Sequence, residues 1–213
     1  MEWIYQAPIL FFSIIFHEFA HGYVAMRRGD DTAYLSGRLT FNPINHIDPI
    51  GTIVMPVLCY ISGMPMFGWA KPVPVNPLRL EYPRRDMIKV SAAGPVSNLL
   101  LAAAAAVIMR VIVLFASALG GDMSVTLVRA MFFAVEINLV LAIFNLIPVA
   151  PLDGSKILGG LLPYKWAVAY EKHIPYGSWI ILALILTGLV KWIIILPLSI
   201  AMHMLSFIGI PLY

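Results

Sequence analysis

The pentapeptide His17-Glu18-Phe19-Ala20-His21 carries the residues of this chain that are best suited to chemistry. Two histidines four residues apart lie on one face of a helix, so both imidazoles can bind the same metal ion. The glutamate between them can reach a water molecule on that ion and accept its proton. The spacing therefore predicts a zinc site that hydrolyses its substrate.

The motif lies inside an apolar stretch that runs from about Trp3 to Met26. A lone histidine on an apolar helix face is usually a satisfied core residue, and a chance His-Glu-x-x-His occurs on the order of once in a hundred such chains. A charged group near the bilayer centre costs about 2.5–3.5 kcal/mol and is usually kept for function. The membrane setting therefore favours a metal site over the core-residue interpretation.

The composition identifies the class of protein. Of its 213 residues, 61% are hydrophobic and 12% are charged, and the mean hydropathy is +0.87. A soluble domain is close to half apolar. We expect an all-α polytopic membrane protein, a bundle of about 4–6 transmembrane helices with a small membrane-associated β or re-entrant segment.

Apolar runs predict membrane spans at 4–26, 88–118 and 124–147, and a carboxy-terminal transmembrane region at 178–212. The last region is interrupted at Lys191 and Pro197, and it could form one long kinked helix or two short ones. A shorter run at 49–62 contains Pro49, Gly51 and Pro56 and is followed by Gly63. Its length favours a re-entrant or interfacial segment over a span.

The basic residues favour a membrane surface rather than nucleic acid as the reason for the net charge of +3 and the pI near 9.0. If 49–62 does not cross the bilayer, most of these residues fall on one side. They are Arg27, Arg28, Arg38, Lys71, Arg79, Arg84, Arg85, Lys89, Lys156, Lys165 and Lys172. By the positive-inside rule that side is the cytoplasm, and the zinc motif lies toward it.

The region 28–86 differs from the spans in its pattern. Alternating residues at Tyr34–Thr40 predict a short strand, and the prolines of Lys71–Pro77 favour an edge strand or a polyproline-like segment. The alanine run 102–106 predicts a helix face that packs closely on a neighbour.

Two histidines leave zinc short of a third protein ligand. The polar residues that could supply it are Asp153, Glu136, His46, Asp48, Asp122, His173 and His203. Asp153 stands out because Pro148 and Pro151 break the chain after an apolar span, which lets a carboxylate point into the bundle. The alternative for Asp153 is an N-cap of a helix that begins at Gly154.

Several motifs together resemble the site-2 protease family of intramembrane zinc metalloproteases. They include His17-Glu18-x-x-His21, Gly94-Pro95-x-x-Asn98, and Asn145-x-x-Pro148 leading to Leu152-Asp153-Gly154. Asn42-Pro43 with His46-x-Asp48-Pro49-x-Gly51, and the run from Gly68 to Pro77, are similar to loop signatures of its compact prokaryotic branch. The resemblance covers roughly residues 8–160, and that branch carries no PDZ or CBS domains.

This resemblance implies that His17, His21 and Asp153 bind one Zn²⁺ per chain and that Glu18 is the catalytic acid and base. It implies cleavage of membrane-anchored proteins within or near their spans, in the inner membrane of a prokaryotic cell. We expect residues 1–213 to form a single integral-membrane metalloprotease domain, with 8–160 as its core, a cytoplasmic-side strand or re-entrant region at 28–86 and the transmembrane region 178–212.

Further site residues are predicted from what the reaction and its substrate would need. Asn145 is the first candidate donor to the negative charge that develops on the substrate carbonyl, and Asn98 is the second. For Asn98 an interhelical hydrogen bond is at least as good an explanation. His46 and Lys71 are candidate substrate-binding residues, although a surface-loop role is the simpler interpretation of His46. Segments near Tyr34–Thr40 or Lys71–Asn76 could pair with an unwound substrate by β-augmentation.

Two other classes of function use similar residues. A divalent-metal transporter also places histidine and aspartate in a membrane, but it needs no glutamate between the histidines and needs polar groups through the other leaflet. An inactive scaffold that binds membrane helices would not need the full set of catalytic residues.

Overall fold

The computed structural model describes residues 2–62, 70–116 and 120–207, and the regular structure in these ranges is helical, with no strand. The prediction of an all-α membrane protein is confirmed. The α-helices are α1 (Trp3–Arg27), α2 (Thr32–Leu35), α3 (Met55–Ser62), α4 (Pro83–Leu114), α5 (Gly121–Asn145), α6 (Asp153–Leu161), α7 (Tyr164–Glu171), α8 (Gly177–Leu186) and α9 (Leu189–Phe207). Short turns of 3₁₀-helix at Pro43–His46, Pro77–Arg79 and Ile174–Tyr176, and a π-helix at Pro49–Val54, complete the set.

Four of the described helices are long and apolar enough to cross a membrane: α1, α4, α5 and the stretch Leu189–Ser206 of α9. The first three correspond to the predicted spans 4–26, 88–118 and 124–147. The run 49–62 forms the π-helix and α3, and it is not one of the four candidate spans.

Helix α4 begins earlier than predicted because Asp86 closes its first turn. The Asp86 carboxylate accepts the Tyr82 N–H at 3.0 Å, and the Asp86 N–H donates back to the Tyr82 carbonyl at 2.8 Å. Asp86 is completely buried and also binds Lys89 at 2.6 Å. Arg28 just beyond the end of α1 lies 3.8 Å from the same carboxylate. The end of α1 and the start of α4 are therefore fixed to each other.

Small residues bring α4 and α5 together. Ala102, Ala105 and Ala106 of α4 form one buried cluster with Ala134 and Val135 of α5. A helix face without long side chains allows close backbone approach in a membrane, as the alanine run predicts. Helix α4 also packs against α1 and α6, so it is the element that the parts of the site share.

The predicted strand at Tyr34–Thr40 is wrong. Thr32–Leu35 is a short helix, which starts where Asp30 accepts hydrogen bonds from the Thr32 N–H and hydroxyl. Such local bonds compete with strand pairing. The segment 71–76 has no regular secondary structure and pairs with no strand among the described residues. Its prolines 72 and 74 lack the N–H groups that a ladder needs.

The described part of the carboxy-terminal region, up to residue 207, forms two helices, and their break lies elsewhere than predicted; residues 208–212 of the predicted region lie outside the described residues. Helix α9 runs through both Lys191 and Pro197, while the chain turns at Thr187 and Gly188. Gly188 has φ +74°, a conformation that side chains disfavour. The break is thus set by a glycine, and the proline is accommodated within a membrane helix.

Candidate metal centre

The structure brings together His17, His21 and Asp153 from two helices far apart in sequence. The Nε2 atoms of His17 and His21 are 3.1 Å apart, and each lies 3.1–3.2 Å from Asp153 Oδ2. All three residues are less than a tenth exposed. Two imidazole nitrogens and a carboxylate oxygen therefore form a closed, buried triangle.

The hydrogen bonds of the two Nδ1 atoms determine the tautomer of each histidine. His17 Nδ1 is 2.6 Å from Asn98 Oδ1, and His21 Nδ1 is 2.7 Å from the Val90 carbonyl oxygen. Both partners can only accept, so each neutral imidazole carries its proton on Nδ1. Each Nε2 therefore presents a lone pair to the centre.

Three electron-pair donors that face one another need a cation between them. Asp153 Oδ2 is buried and receives no hydrogen bond. Zinc bonds to nitrogen and oxygen of about 2.0–2.1 Å place two tetrahedral ligands about 3.3 Å apart, close to the separations here. The donor set of two imidazoles and one carboxylate is one that catalytic zinc sites use. The residues present fit zinc.

Gly94 of α4 leaves the space at the centre free. A Cβ atom at this position would overlap the Nε2 atoms of both histidines. Glycine is thus required here for room rather than for an unusual backbone conformation.

A buried polar network supports His17 from behind. Asn98 uses its oxygen for His17, and its amide donates to Asn138 Oδ1 at 2.8 Å and to the Ser13 carbonyl at 3.3 Å. Asn138 in turn donates to the Ser13 hydroxyl at 2.8 Å. Asn98 therefore has its interhelical role, and its donors are already used. The sequence interpretation missed Asn138, although a polar residue inside the span 124–147 is a signal of such a contact.

Glu18 is not part of this network and is held by a loop segment instead. Its Oε2 accepts the backbone N–H of Val73 at 2.8 Å. Val73 reaches α1 because residue 22 is glycine, where a Cβ would come within 2.9 Å of Val73 Cγ1. The candidate base is therefore held by the loop segment 71–76.

That segment is fixed at several points. Arg38 donates to the carbonyls of Lys71 at 2.7 Å and Pro72 at 3.3 Å. The Lys71 N–H donates to the His46 carbonyl, and Asp30 accepts the Asn76 N–H. The N–H groups of residues 71, 73 and 76 are thus engaged, so an added substrate strand would have to displace them. This arrangement disfavours the β-augmentation hypothesis.

Asp153 is the first residue of α6, and no side-chain bond caps that helix. The N-cap alternative for Asp153 is therefore wrong, because the helix begins one residue earlier than Gly154. Gly154 packs directly on the preceding turn, where a Cβ would lie 2.6 Å from the Ile147 carbonyl oxygen.

The remaining candidate ligands lie outside the triangle. Asp48 caps the π-helix through the Ile50 and Gly51 N–H groups, and His203 bonds the Ser199 carbonyl. Glu136 and Asp122 are exposed on α5. His173 binds the Ala150 N–H.

Among the predicted substrate-binding residues, the surface interpretation of His46 is wrong. Its side chain is completely buried, and Nε2 donates to the Thr40 carbonyl at 2.8 Å. Lys71 is exposed.

The Asn145 amide donates to the Leu141 carbonyl of its own helix at 3.0 Å. Part of the loop signature, Gly68 and Trp69, lies outside the described residues.

Comparisons with known proteins converge on one family. The profile of peptidase family M50 matches residues 5–187. The candidate zinc metalloprotease YwhC of Bacillus subtilis strain 168 is 39% identical over 190 residues, which are 89% of this chain and 84% of YwhC. No solved structure matches.

More distant relatives are longer than this chain. The candidate zinc metalloprotease Rip2 of Mycolicibacterium smegmatis is 27% identical over 84% of this chain and 66% of its own length. Zinc metalloprotease MJ0392 of Methanocaldococcus jannaschii is 25% identical over 92% of this chain, which spans 46% of that relative.

Proposed function

We propose that this chain, which belongs to peptidase family M50, is an intramembrane zinc endopeptidase that cuts membrane-anchored proteins within or near their spans. The observation that carries the proposal is the triangle of His17, His21 and Asp153 at 3.1–3.2 Å, built on a membrane helix with Glu18 beside it. The family and the relatives' names support a membrane metalloprotease. The intramembrane cut and its use in regulated proteolysis are our proposal.

The three residues of the triangle would hold one zinc ion. When bound there, zinc supplies a Lewis acid that lets water attack a carbonyl near neutral pH. The buried amide of Asn98 keeps the His17 ring in its orientation, and the Val90 carbonyl does the same for His21. Such partners preserve the tautomer that metal binding requires.

Glu18 would move the protons. It takes a proton from the attacking water and delivers it to the amine of the leaving peptide. The Val73 N–H holds one carboxylate oxygen at 2.8 Å, which limits the rotamers that this long side chain can adopt. The segment 71–76 is thereby part of the machinery that orients the base.

Asn145 remains our proposed donor to the substrate carbonyl oxygen. Its amide nitrogen carries two protons, and the bond to Leu141 uses one of them. The second proton is what would stabilise the negative charge.

The substrate must be unwound before it is cut, because a transmembrane helix hides its carbonyls in its own hydrogen bonds. We place the active site toward the cytoplasm of a prokaryotic cell, in the inner membrane, on the distribution of basic residues. His21 lies in the second half of α1, nearer to the loops that carry those residues. This position shortens the path of water to the site.

Cleavage of a single-span reporter protein in liposomes tests the proposal. The wild-type chain and Glu136→Gln, a matched control exposed on α5, should cut the reporter, and a zinc chelator should stop both. Glu18→Gln should retain its zinc and cut nothing, since an amide cannot accept the proton. Equal cleavage by Glu18→Gln would contradict the proposal. Metal flux into liposomes without any cleavage would instead support the transporter alternative.

A further inference from the structure

The turn 146–152 carries Asp153 into the site. It joins the end of α5 to the start of α6, and Pro148 and Pro151 keep it from being helical. Two internal bonds shape it, from the Val149 N–H to Ile147 at 2.8 Å and from the Leu152 N–H to Val149 at 3.0 Å. These two bonds do not determine where the turn lies relative to α1. Contacts with other parts of the chain must do so.

Two side chains of the α7–α8 region bind this turn from outside. His173 Nε2 accepts the Ala150 N–H at 3.0 Å. The Tyr170 hydroxyl donates to the Pro148 carbonyl at 2.6 Å. Both bonds reach main-chain groups within five residues of Asp153.

The two side chains support each other. His173 Nδ1 lies 2.5 Å from the Tyr170 carbonyl oxygen, and the two rings pack with centroids 4.4 Å apart. Because Ala150 N–H can only donate and the Tyr170 carbonyl can only accept, His173 must carry its single proton on Nδ1. Both ring nitrogens are therefore engaged in holding the turn.

Helix α8 also packs closely against the turn 146–152. Gly177 at the start of α8 lies against Ala150, where a Cβ would come within 2.9 Å of the Ala150 Cβ. Ile181 of α8 is buried in one cluster with Ile147 and Leu152 of the turn. The α7–α8 region is thus docked on the turn by polar and apolar contacts together.

We propose that His173 and Tyr170 are positioning residues that set the Asp153 carboxylate for metal binding, so that the α7–α8 region controls the metal affinity of the site. This inference rests on the proposed function, since it assumes zinc at His17, His21 and Asp153. Neither residue belongs to the motifs that suggest the family. Partners that hold a metal ligand in place commonly change metal affinity by about 10–100-fold when they are lost.

Zinc affinity of the full chain in detergent, measured by competition with a chromogenic chelator, tests this role. His173→Leu should weaken zinc binding about tenfold or more, because no side-chain atom then accepts the Ala150 N–H. His173→Gln should retain most of the affinity, since its Oε1 can take the place of Nε2. The matched control His203→Leu, an exposed histidine on α9, should bind zinc like the wild type.

Tyr170→Phe keeps the test decisive if His173→Leu does not fold. It removes one hydroxyl and leaves the ring, so we expect a smaller loss of affinity, about twofold to fivefold, at an unchanged melting temperature. The visible spectrum of the cobalt-loaded protein should change in the same variants, because it reports ligand geometry.

The outcomes separate the two proposals. Wild-type affinity in both His173→Leu and Tyr170→Phe would overturn the positioning role alone. Equal losses of zinc affinity in His173→Gln and His173→Leu would also overturn the positioning role. They would show that a side-chain acceptor for the Ala150 N–H does not determine the affinity. A wild-type chain that binds no zinc would overturn the proposed function and this inference with it.

Discussion

The histidines and the glutamate of the motif lie on one helix but are held in different ways. His17 is bonded by Asn98, Asn98 donates to Asn138, and Asn138 donates to the Ser13 hydroxyl, all of them buried side chains on membrane helices. Glu18, by contrast, is bonded by a backbone N–H of the loop segment 71–76, which lies outside the candidate spans.

This difference separates a rigid part of the site from an adaptable one. Helices packed through small residues and buried amides hold ligand atoms in one rigid arrangement. The segment 71–76 is held by hydrogen bonds with Arg38, His46 and Asp30, which lie outside the candidate spans, so we expect it to shift more readily than the helices when a substrate arrives. We therefore expect changes behind the histidines to affect metal binding, and changes in the segment to affect turnover.

The largest expected effect comes from filling the centre itself. Gly94→Ala would place a methyl group on the Nε2 atoms of both histidines, so zinc affinity should fall about 100-fold or more while α4 remains helical. Gly159→Ala is the matched control, because its Cβ would make an ordinary 3.8 Å contact with Tyr170. Zinc content after purification checks both. Normal zinc in Gly94→Ala would mean that the metal lies elsewhere.

A smaller effect should follow from the network behind His17. Asn98→Leu removes the acceptor of the Nδ1 proton and should weaken zinc binding about 10–100-fold. Asn138→Leu leaves that acceptor in place, so its effect should be less than about tenfold. Chelator competition measures both variants. The reverse order of effects would show that His17 is not oriented through Asn98.

The smallest effect should come from the segment that holds Glu18. Arg38→Met removes the donors to the Lys71 and Pro72 carbonyls, and the loss of about 1 kcal/mol predicts roughly a fivefold fall in kcat. Zinc content should not change, since Arg38 does not touch the triangle. Arg27→Met, which removes an exposed charge at the end of α1, is the control. A loss of zinc in Arg38→Met would contradict the separation of the two parts.

Much of the membrane core could be predicted from the sequence because its signals are local. The apolar runs gave the first three candidate spans, and the spacing of His17 and His21 implied that their rings face the same point. The position of Asp153 could not be derived in this way. It depends on how α4 packs against both α1 and α6, and such long-range contacts leave no periodic pattern in the chain.

The loop region was predicted less well for a physical reason. Residues 34–40 have a strand-like alternation, yet the carboxylate of Asp30 binds Thr32 and starts a helix instead. His46 lies in a polar, proline-rich stretch of sequence that is typical of a surface loop. In the folded chain it is buried, with its side chain bonded to Thr40 and its carbonyl bonded to Lys71. Where single side chains bind backbone groups, the outcome depends on contacts that only the folded chain makes.

The zinc content of Asp153→Ala tests the central claim most directly, because it asks whether residues from two distant parts of the chain share one metal ion. The wild-type protein and the control Asp122→Ala, an exposed aspartate on α5, should each carry about one zinc per chain. Asp153→Ala should carry none after dialysis against a weak chelator. A full complement of zinc in Asp153→Ala would contradict the account.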